Sequence, residues 1–537
     1  MLRLGKKNRF LLSVISGLLL TLSFPEIGNL PFLAFLAFIP LLFIEKEIYD
    51  HNYKSYKLLI HSYIAFLIYN IGTTWWIWNA SPGGAIFAFV LNALIMSLTF
   101  QLFHFTKKRI GKFEGYISLI LYWIAFEYIH YQWELSWPWL NLGNVFANSV
   151  KIIQWYSITG VLGGSLWILI LNIYGFVLIN NFIIHRKKIN DQKVNLSIYF
   201  SIFLIPIVVS FYLYNNSNDT GINTDIIVSQ PNVDPYNEKF IGSVESQLDK
   251  ICDLVDRKAN SKTDFVLAPE TALPFSFYED EVDRIIYFHY LIERKAKWKN
   301  ASLLIGASTK RFFKYKKSRA SRKLYNGPGY EEFYNSSMLV DFHDKPKFVH
   351  KSKLVLGVEK VPFSDVFPWL EELSINNGGS SGTLGIEDYA QVMKSNKMLF
   401  APVVCYESVY GNFIAEQCRK GAQLIFIITN DGWWGNTPGY KQHFAFARLR
   451  AIENRKSLAR SANTGVSGFI NQRGDIIQKT NYWTEDVISE KLKRNNIKTF
   501  YALNGDFIGR AFGVAALIFL VITLAHFFKT IIYKSKL

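Results

Sequence analysis

Long apolar segments bounded by basic residues are the feature that most limits what this chain can fold into. A helix needs about 20 residues to cross the hydrocarbon core of a bilayer, within a range of about 17 to 25. Segments near this length recur through the first 214 of the 537 residues, and one more lies near the end. They predict a polytopic membrane protein with about eight spans. The apolar segments lie at residues 10–24, 30–44, 58–78, 85–105, 117–131, 155–184, 196–214 and 507–528.

Basic residues in the loops between these segments predict which side of the membrane each part occupies. They cluster before the first segment and after the second, fourth, sixth and last, whereas loops 79–84 and 132–148 carry almost none. Lys and Arg concentrate in the cytoplasmic loops of membrane proteins. We therefore expect both termini in the cytoplasm and residues 215–506 outside it. Residues 10–24 are expected to remain as the first span, because no small-residue cleavage site follows them.

The formal net charge of +17 does not by itself indicate a nucleic-acid partner. Much of the Lys and Arg lies in the short loops that set membrane topology, and no nucleic-acid-binding motif accompanies it. The chain has three cysteines, Cys252, Cys405 and Cys418, an odd and small number that does not predict a disulfide framework. None belongs to a pair with metal-ligand spacing. A lone cysteine beside charged residues is a better candidate for a nucleophile.

Residues 215–506 have the pattern of a separate α/β domain. Short apolar segments alternate with helical patterns, such as those at 243–257 and 280–297, and this alternation predicts a sheet covered by helices. We expect residues 1–214 to hold about seven membrane helices, and residues 507–537 a last helix and a cytoplasmic tail. The predicted strands lie at residues 225–229, 264–268, 302–307, 337–341, 398–404 and 424–429.

Three residues, Glu270, Lys351 and Cys405, each lie at or just past the end of a strand. Ligands in open α/β sheets bind at the carboxyl ends of strands, so the three are expected to form one site. A free thiol has a pKa of about 8.5 and needs a base, which is the role expected for Glu270. Lys351 and the backbone N–H after Cys405 can stabilise the oxyanion formed when a thiolate attacks an ester. A second carboxylate, Glu359 or Glu407, can hold the lysine.

Structural roles are the alternatives to these assignments. A lone cysteine on an apolar strand is more often a core residue, and the neighbouring Tyr406 favours a nucleophile only together with the other two segments. Lys351 lies among other lysines, so it could instead belong to a charged surface segment without a catalytic role. Lys353 is a second candidate for the catalytic lysine. Structural roles are expected for Cys252, Cys418 and His443.

The motifs resemble those of two related groups of proteins. Residues 215–506 resemble the carbon–nitrogen hydrolase (nitrilase) superfamily with its Glu-Lys-Cys triad, and the whole chain resembles the apolipoprotein N-acyltransferase family. The spacing from Lys351 to Glu359 is that between the family's catalytic lysine and an important glutamate. Further matching segments are Gln230-Pro231-Asn232, residues 429–435, 442–455 and 463–467, and the loop Trp137-Pro138-Trp139-Leu140.

Two positions depart from the family's pattern. Residues 353–359 read Lys-Leu-Val-Leu-Gly-Val-Glu, where the family often has His-Leu-Val-Pro-Phe-Gly-Glu, and Phe240 replaces a lid tryptophan. Phe240 is therefore a candidate substrate-binding residue. Trp139 is another, from an aromatic outside loop expected at the membrane interface. Trp433 and Trp434 are further candidates, equally compatible with core packing and with a lipid-facing rim.

The resemblance implies a bundle of about eight membrane helices and an outside α-β-β-α sandwich. It also implies that Cys405 takes an acyl chain from a phospholipid and passes it to the α-amine of a diacylglyceryl-modified apolipoprotein cysteine. Glu270 would act as base and then acid, and Lys351 would stabilise both oxyanions. No cofactor and no metal are expected. The chain is expected to act as a monomer in the bacterial cytoplasmic membrane, with its catalytic domain on the periplasmic face.

Two other functions remain open on the sequence. A membrane-tethered amidase or nitrilase would use the same triad with water as the acceptor, and an apolar rim around the thiol would argue against it. A transporter with a degenerate outside domain would place ionisable residues inside the spans. Glu127 and His130 are the main candidates for such residues, and both lie near the end of a span.

Overall fold

A helical unit and an α/β unit make up the chain. The structure is a computed structural model that describes residues 4–183, 186–299, 301–341, 345–367, 369 and 382–535. The helical unit consists of Met1–Trp78, Pro82–Asn216 and Asp506–Leu537, and the α/β unit of Asn79–Ser81 and Ser217–Gly505.

The described residues contain α-helices of very different lengths. Long helices dominate the helical unit, and the helices of the α/β unit are shorter. In chain order they are α1 (Lys6–Ser23), α2 (Ile39–Asp50), α3 (Tyr56–Thr74), α4 (Ile77–Ala80), α5 (Pro82–Ile110), α6 (Lys112–Ile129), α7 (Tyr156–Ile183), α8 (Lys193–Asn216), α9 (Val244–Asp256), α10 (Ile286–Lys295), α11 (Gly411–Arg419), α12 (Pro438–Asn454), α13 (Phe500–Asn504) and α14 (Phe507–Ser535).

Within the described ranges, four helical segments are long and apolar enough to cross a membrane: α5, α7, α8 with its preceding turn, and α14. Each of the eight predicted apolar segments overlaps a helix, but the remaining helices do not reach this length and apolarity on their own. The count of about eight spans therefore stays a prediction. The predicted segment 30–44 is not one helix, because a 3₁₀ turn at Pro31–Phe35 precedes α2.

A side-chain hydrogen bond satisfies the backbone where proline interrupts α8. Pro206 has no N–H, so the carbonyl of Ile202 lacks its usual helical partner. The indole Nε1 of Trp167, on α7, donates to that carbonyl at 2.8 Å. Since lipid offers no hydrogen bonds to an exposed backbone group, this contact removes a cost of several kcal/mol.

Glu127 and His130, the two ionisable residues predicted near a span end, have local hydrogen-bond partners. Glu127 Oε1 accepts from Trp123 Nε1 at 3.0 Å. His130 Nδ1 accepts from Trp133 Nε1 at 2.9 Å, and Nε2 lies 2.9 Å from Asn92 Oδ1, which fixes the tautomer with hydrogen on Nε2. These contacts tie both side chains into the packing of the helical unit.

The α/β unit contains two sheets. An eight-stranded sheet has the order β14-β1-β2-β4-β6-β5, with β3 paired to β4 and β7 to β6, and a six-stranded sheet has the order β13-β12-β11-β10-β9-β8. The strands are β1 (Ile222–Gln230), β2 (Phe265–Leu267), β3 (Leu273–Tyr278), β4 (Ser302–Phe313), β5 (Arg322–Lys323), β6 (Tyr330–Val340), β7 (Lys347–His350), β8 (Met393–Lys394), β9 (Leu399–Val404), β10 (Ile425–Thr429), β11 (Leu458–Ala462), β12 (Gly468–Ile470), β13 (Ile476–Lys479) and β14 (Asp486–Arg494).

Parallel strands form the centre of each sheet. In the first sheet β1, β2 and β4 are parallel, and in the second β9, β10 and β11 are parallel. The six strands predicted from the sequence coincide with β1, β2, β4, β6, β9 and β10, so that prediction is confirmed. The carboxyl ends of neighbouring parallel strands lie at one edge, which is where polar residues can meet.

The core of the α/β unit has two buried layers. Alternate side chains of a strand point to opposite faces, so Ile227 packs on the layer with α9 and α10, whereas Ile226 packs on the layer between the sheets. That second layer includes Phe400 and Phe426 of the six-stranded sheet. Helices α11 and α12 contact the six-stranded sheet. The arrangement is the α-β-β-α sandwich that the resemblance implied.

Candidate active site

Strand β9 ends in a turn that begins with Cys405. The 3₁₀ turn Cys405–Val409 follows the strand directly, and Cys405 has a φ of 51°. A positive φ costs a non-glycine residue about 1–3 kcal/mol, so neighbouring groups must hold it. The carbonyl oxygen of Cys405 accepts from Ser408 Oγ at 2.7 Å and lies 3.2 Å from His443 Nε2. The backbone strain is thus located at the residue predicted to react.

A second turn places Glu270 after β2. Thr271, the next residue, also has a positive φ, of 47°. The turn lies against Gly306 of β4, where an added Cβ would lie 2.4 Å from the Thr271 nitrogen and 2.6 Å from the Glu270 Cα. Only glycine permits this approach. The Lys239 ammonium donates to the Glu270 carbonyl oxygen at 2.9 Å and fixes the peptide from another side.

Two carboxylates, an ammonium and an amide form a closed ring of hydrogen bonds. Lys351 Nζ lies 3.3 Å from Glu270 Oε1 and 2.9 Å from Glu359 Oε1. Asn335 Nδ2 donates to the same two oxygens, at 2.7 and 2.9 Å. Glu359 Oε2 accepts from the Val355 backbone at 2.8 Å. Glu270 Oε2 accepts no hydrogen bond from the described part of the chain, so it remains available for a proton.

The resting charges follow from burial and from these contacts. Burial acts to lower the pKa of Lys351, but Glu359 and Glu270 outweigh it and hold that pKa well above its usual value. Burial, followed by the charge of Glu270, raises the pKa of Cys405 well above that of a free thiol, although Lys351 opposes this. At neutral pH the site therefore combines an ammonium with a protonated thiol, and the thiol needs a base to react.

The structure distinguishes the two candidates for the second carboxylate. Glu359 contacts Lys351, as described. Glu407 instead accepts from the backbone N–H of Ser352 at 2.6 Å and of Val404 at 2.8 Å. Burial raises the pKa of Glu407 to about 7, and these hydrogen bonds oppose the rise. Glu407 thus joins the segment after the lysine to the strand before the cysteine and does not hold the lysine itself.

The two candidate lysines also differ. Lys351 is 1% exposed and makes the contacts above. Lys353 lies with its ammonium 5.6 Å from the centre of the Tyr410 ring, and burial lowers its pKa. Of the two, only Lys351 lies beside Glu270.

One cavity of about 160 Å³ brings most of the predicted site residues together. Its lining combines the charged residues with aromatic side chains that are half-buried. Among the predicted residues, those that line it are Glu270, Lys351, Glu359, Cys405, Phe240, Trp433 and Trp434.

Three predicted residues do not line this cavity: Glu407, whose contacts are given above, Tyr406 and Trp139. Tyr406 is 5% exposed, and its ring packs edge-on against Tyr410 at 5.3 Å. Trp139 belongs to the helical unit, where it is 1% exposed and its ring lies 5.0 Å from that of Trp76. The indole is buried among other aromatic side chains, and its expected position at the membrane interface stays a prediction.

Comparisons with known proteins cover nearly the whole chain. The family model for the apolipoprotein N-acyltransferase N-terminal domain matches residues 16–174, and the carbon–nitrogen hydrolase model matches residues 230–501. An apolipoprotein N-acyltransferase of Chlorobaculum tepidum is 30% identical over 532 residues, which cover 95% of this chain and 96% of the relative. The chain belongs to the apolipoprotein N-acyltransferase family.

Other apolipoprotein N-acyltransferases are similar at lower identity. That of Geobacter metallireducens is 26% identical over 93% of this chain and 92% of its own. Among solved structures, an amidase from Nesterenkonia sp. is 14% identical, covers 54% of this chain and 97% of its own, and superposes with a TM-score of 0.37.

Several motif residues that carry the family resemblance have structural contacts. Gln230 donates to the Asn481 and Thr484 carbonyls at 2.7 and 2.8 Å. Asn463 donates to the Val233 carbonyl at 2.7 Å. His443, predicted to be structural, is fully buried and lies 3.0 Å from Asp431 Oδ1, which confirms that prediction.

Two residues of the site were missed by the sequence reasoning. Asn335 lies within β6, away from every strand end, so no end-of-strand rule identifies it. Lys239 lies in a turn rich in charged residues, where a solvated lysine is the ordinary expectation. A lysine directly before Phe240, the position of the lid tryptophan in the apolipoprotein N-acyltransferase family, was the only signal available.

Proposed function

We propose that this chain transfers a fatty acyl chain from a phospholipid to the α-amine of the diacylglyceryl-cysteine of an apolipoprotein. The observation that carries the proposal is the single cavity lined by Glu270, Lys351 and Cys405 in a chain of this family. The names of the relatives supply the acceptor, an apolipoprotein, and the bond formed, an N-acyl bond.

In the first step, Glu270 takes the thiol proton of Cys405, and the thiolate attacks the carbonyl carbon of a phospholipid ester. Negative charge passes to the carbonyl oxygen, where Lys351 and the backbone N–H after Cys405 stabilise it. The bond from that carbon to the glycerol oxygen breaks, and Glu270 gives its proton to the departing oxygen. A lysophospholipid leaves, and the acyl chain stays on sulfur as a thioester.

In the second step, the free α-amine of the apolipoprotein attacks the thioester, which is more open to amines than an oxygen ester. Glu270 takes a proton from the nitrogen, and Lys351 stabilises the new oxyanion. The carbon–sulfur bond breaks, and the proton passes from Glu270 to the sulfur of Cys405. The two substrates use one site in turn, so ping-pong kinetics are expected.

The cavity lining favours a lipid acyl chain over a water-soluble amide. Phe240, Trp433 and Trp434 surround the charged residues with aromatic surface. Apolar and aromatic side chains with a few placed polar groups are typical of sites for apolar ligands. A hydrolase that used water as its acceptor would not need such a lining.

Both substrates carry lipid, so we place the reaction at a membrane surface. We propose that residues 215–506 form the catalytic domain on the periplasmic face of the bacterial cytoplasmic membrane. Residues 1–214 and 507–537 would anchor it, with both termini in the cytoplasm and the chain acting as a monomer. The distribution of basic loops and the four long apolar helices support this arrangement.

Intact mass spectrometry tests the proposed intermediate. Purified full-length enzyme is incubated with phospholipid alone, and its mass is compared with that of Cys405→Ala treated in the same way. We expect an increase equal to one acyl chain that neutral hydroxylamine removes and that the variant lacks. Cys405→Ser serves as a second control, because it retains a polar group of similar size and is expected to lose transfer without unfolding.

A different result would replace the thioester mechanism. If lysophospholipid appears only when the apolipoprotein is also present, and no adduct forms under trapping conditions, the acyl chain passes directly between the substrates. Near-normal turnover by Cys405→Ala would contradict the nucleophile itself.

A further inference from the structure

Lys239 is a buried cation that the mechanism above does not use. Its side chain is 2% exposed. Its ammonium donates to the backbone carbonyl of Glu270 at 2.9 Å, and its own carbonyl accepts from Gln247 Nε2 at 3.0 Å. The aliphatic part and the ammonium are thus both enclosed, next to the peptide that carries the proposed base.

No carboxylate within the described residues forms an ion pair with Lys239. Burying an ammonium without such a partner costs desolvation free energy, so other interactions must compensate for it. Its electrostatic neighbours are Glu270 and Cys405, and each favours the charged form of Lys239 when it carries a negative charge. Burial nevertheless lowers the pKa of Lys239 to about 8, which leaves it mostly charged at neutral pH.

The charges of the site balance only when Lys239 is included. With both carboxylates ionised, Glu270 and Glu359 carry two negative charges, and Lys351 supplies one positive charge. Lys239 supplies the second, so the site is neutral while the thiol holds its proton. When Glu270 takes that proton, the negative charge passes to the sulfur of Cys405, beside two ammonium groups instead of one.

We propose that Lys239 is a positioning residue that fixes the Glu270 peptide and supplies the second positive charge that favours ionisation of Cys405. The hydrogen bond acts on the turn that contains Thr271, whose strained backbone needs support. The charge acts on the thiol, because an opposite charge nearby stabilises a thiolate. This inference rests on the proposed role of Cys405 as the reacting thiol.

Alkylation of Cys405 by iodoacetamide, measured against pH, tests the charge directly. The full-length enzyme is treated at each pH, and the rate is read from the mass of the peptide that contains Cys405. In Lys239→Met, which keeps the length but removes the charge, we expect alkylation of Cys405 to be about tenfold slower than in wild type at about pH 7, where the Lys239 ammonium is mostly charged. The difference should narrow as pH rises through about 8, the pKa of Lys239. Lys239→Arg is expected to restore much of the wild-type profile.

Lys456→Met is the matched control. Lys456 is 1% exposed in the same unit and donates to the Asn495 and Ile497 carbonyls at 2.7 Å, but its cysteine neighbour is Cys418. Its replacement removes an equally buried cation and is expected to leave the Cys405 profile unchanged. A profile of folded Lys239→Met that matches wild type would overturn the proposal, as would an equal shift in Lys456→Met. If Lys239→Met does not fold, Lys239→Gln is judged by the same criteria.

The test separates this inference from the proposed function. Alkylation needs neither phospholipid nor apolipoprotein, so a shifted profile in Lys239→Met supports the electrostatic role whatever the enzyme acylates. Absence of the acyl adduct in wild type, with the shift still present, would contradict only the thioester. The adduct in wild type with an unshifted Lys239→Met profile would contradict only the role of Lys239.

Discussion

The side-chain amide of Asn335 donates to the Glu270 carboxylate at 2.7 Å. The same nitrogen lies 2.9 Å from Glu359, so one neutral group contacts two carboxylates that would otherwise repel each other. Lys351 bridges the same pair from another direction. Glu270 thereby has one oxygen fixed, and the described residues leave its other oxygen without a hydrogen bond. A carboxylate held in this way is oriented for proton transfer before the substrate arrives.

Asn335→Asp is expected to reduce kcat more than Asn335→Ala. Alanine removes two donors to charged groups, a loss of about 1.5–3 kcal/mol, or about tenfold to a hundredfold in rate. Aspartate removes the same donors and adds a third carboxylate within about 3 Å of two others, which disfavours ionised Glu270. Steady-state transfer kinetics and thermal unfolding of both variants provide the measurement. A kcat near that of wild type in Asn335→Asp, with a loss only in Asn335→Ala, would mean that the amide acts through packing alone.

Glu359→Gln is expected to move the alkaline limit of activity to lower pH. Burial alone lowers the pKa of Lys351, and Glu359 is the largest of the charges that reverse this. Since the ammonium is the active form, activity is lost as pH rises through that pKa. We expect kcat to fall about tenfold at neutral pH and further as pH increases.

Glu416→Gln is the matched control for Glu359→Gln. Glu416 pairs with Lys420 at 2.9 Å in a partly exposed helical pair, which is worth little. The pH profile of kcat is expected to remain that of wild type in this control. An unchanged alkaline limit in Glu359→Gln would show that Glu270 alone keeps Lys351 charged.

The fold could be predicted from the sequence where one local pattern determines it. Strand β10, for example, is a run of apolar residues bounded by polar ones, and such a run predicts a strand buried on both faces. Residues 30–44 do not form the single helix that their hydropathy predicts, because hydropathy takes no account of proline. Pro40 lies in the first turn of α2, where its missing N–H is tolerated, so the helix begins there and does not extend back through the segment.

The site could be predicted only in part. A strand end can be recognised from the neighbouring sequence, whereas contacts between residues far apart in the sequence cannot. Glu270 and Cys405 each follow a strand, and the motif spacing selected Lys351. The choice between Glu359 and Glu407 required the actual path of the loop after β7. Asn335 reaches Glu270 through the pairing of β6 with β4, where Asn335 lies opposite Ser308. Strand register of this kind links residues far apart in sequence.

Reporter fusions are expected to place the α/β unit outside the cytoplasm. A fusion at Tyr325, which is fully exposed, should be active with a reporter that works only in the periplasm. A fusion after Lys188, in the basic loop between α7 and α8, should be active with a reporter that works only in the cytoplasm. The opposite pattern would overturn the topology and the proposed membrane face of the reaction.

Glu407→Gln is expected to lower kcat by about tenfold without removing a group that touches the substrate. Glu407 holds the Ser352 and Val404 N–H groups, one beside the lysine and one beside the cysteine. A glutamine offers one oxygen where the carboxylate offered two, so one of these N–H groups loses its acceptor. The lysine and the thiol would then be less precisely placed, and KM should change less than kcat. Glu416→Gln again serves as the control.

The difference in stability between wild type and Glu407→Gln should depend on pH, in a direction set by the burial of Glu407. The folded pKa of Glu407 is raised to about 7 from a usual value near 4.5. Its contribution to stability is therefore fully present below about pH 4.5 and is lost as pH rises through about 7. Glutamine does not ionise, so the stability of wild type relative to Glu407→Gln should fall between pH 5 and pH 8. Thermal unfolding midpoints of both proteins at these pH values measure it. A rise in the relative stability of wild type with pH would mean that the ionised carboxylate, with its backbone N–H donors, is the form that stabilises the fold.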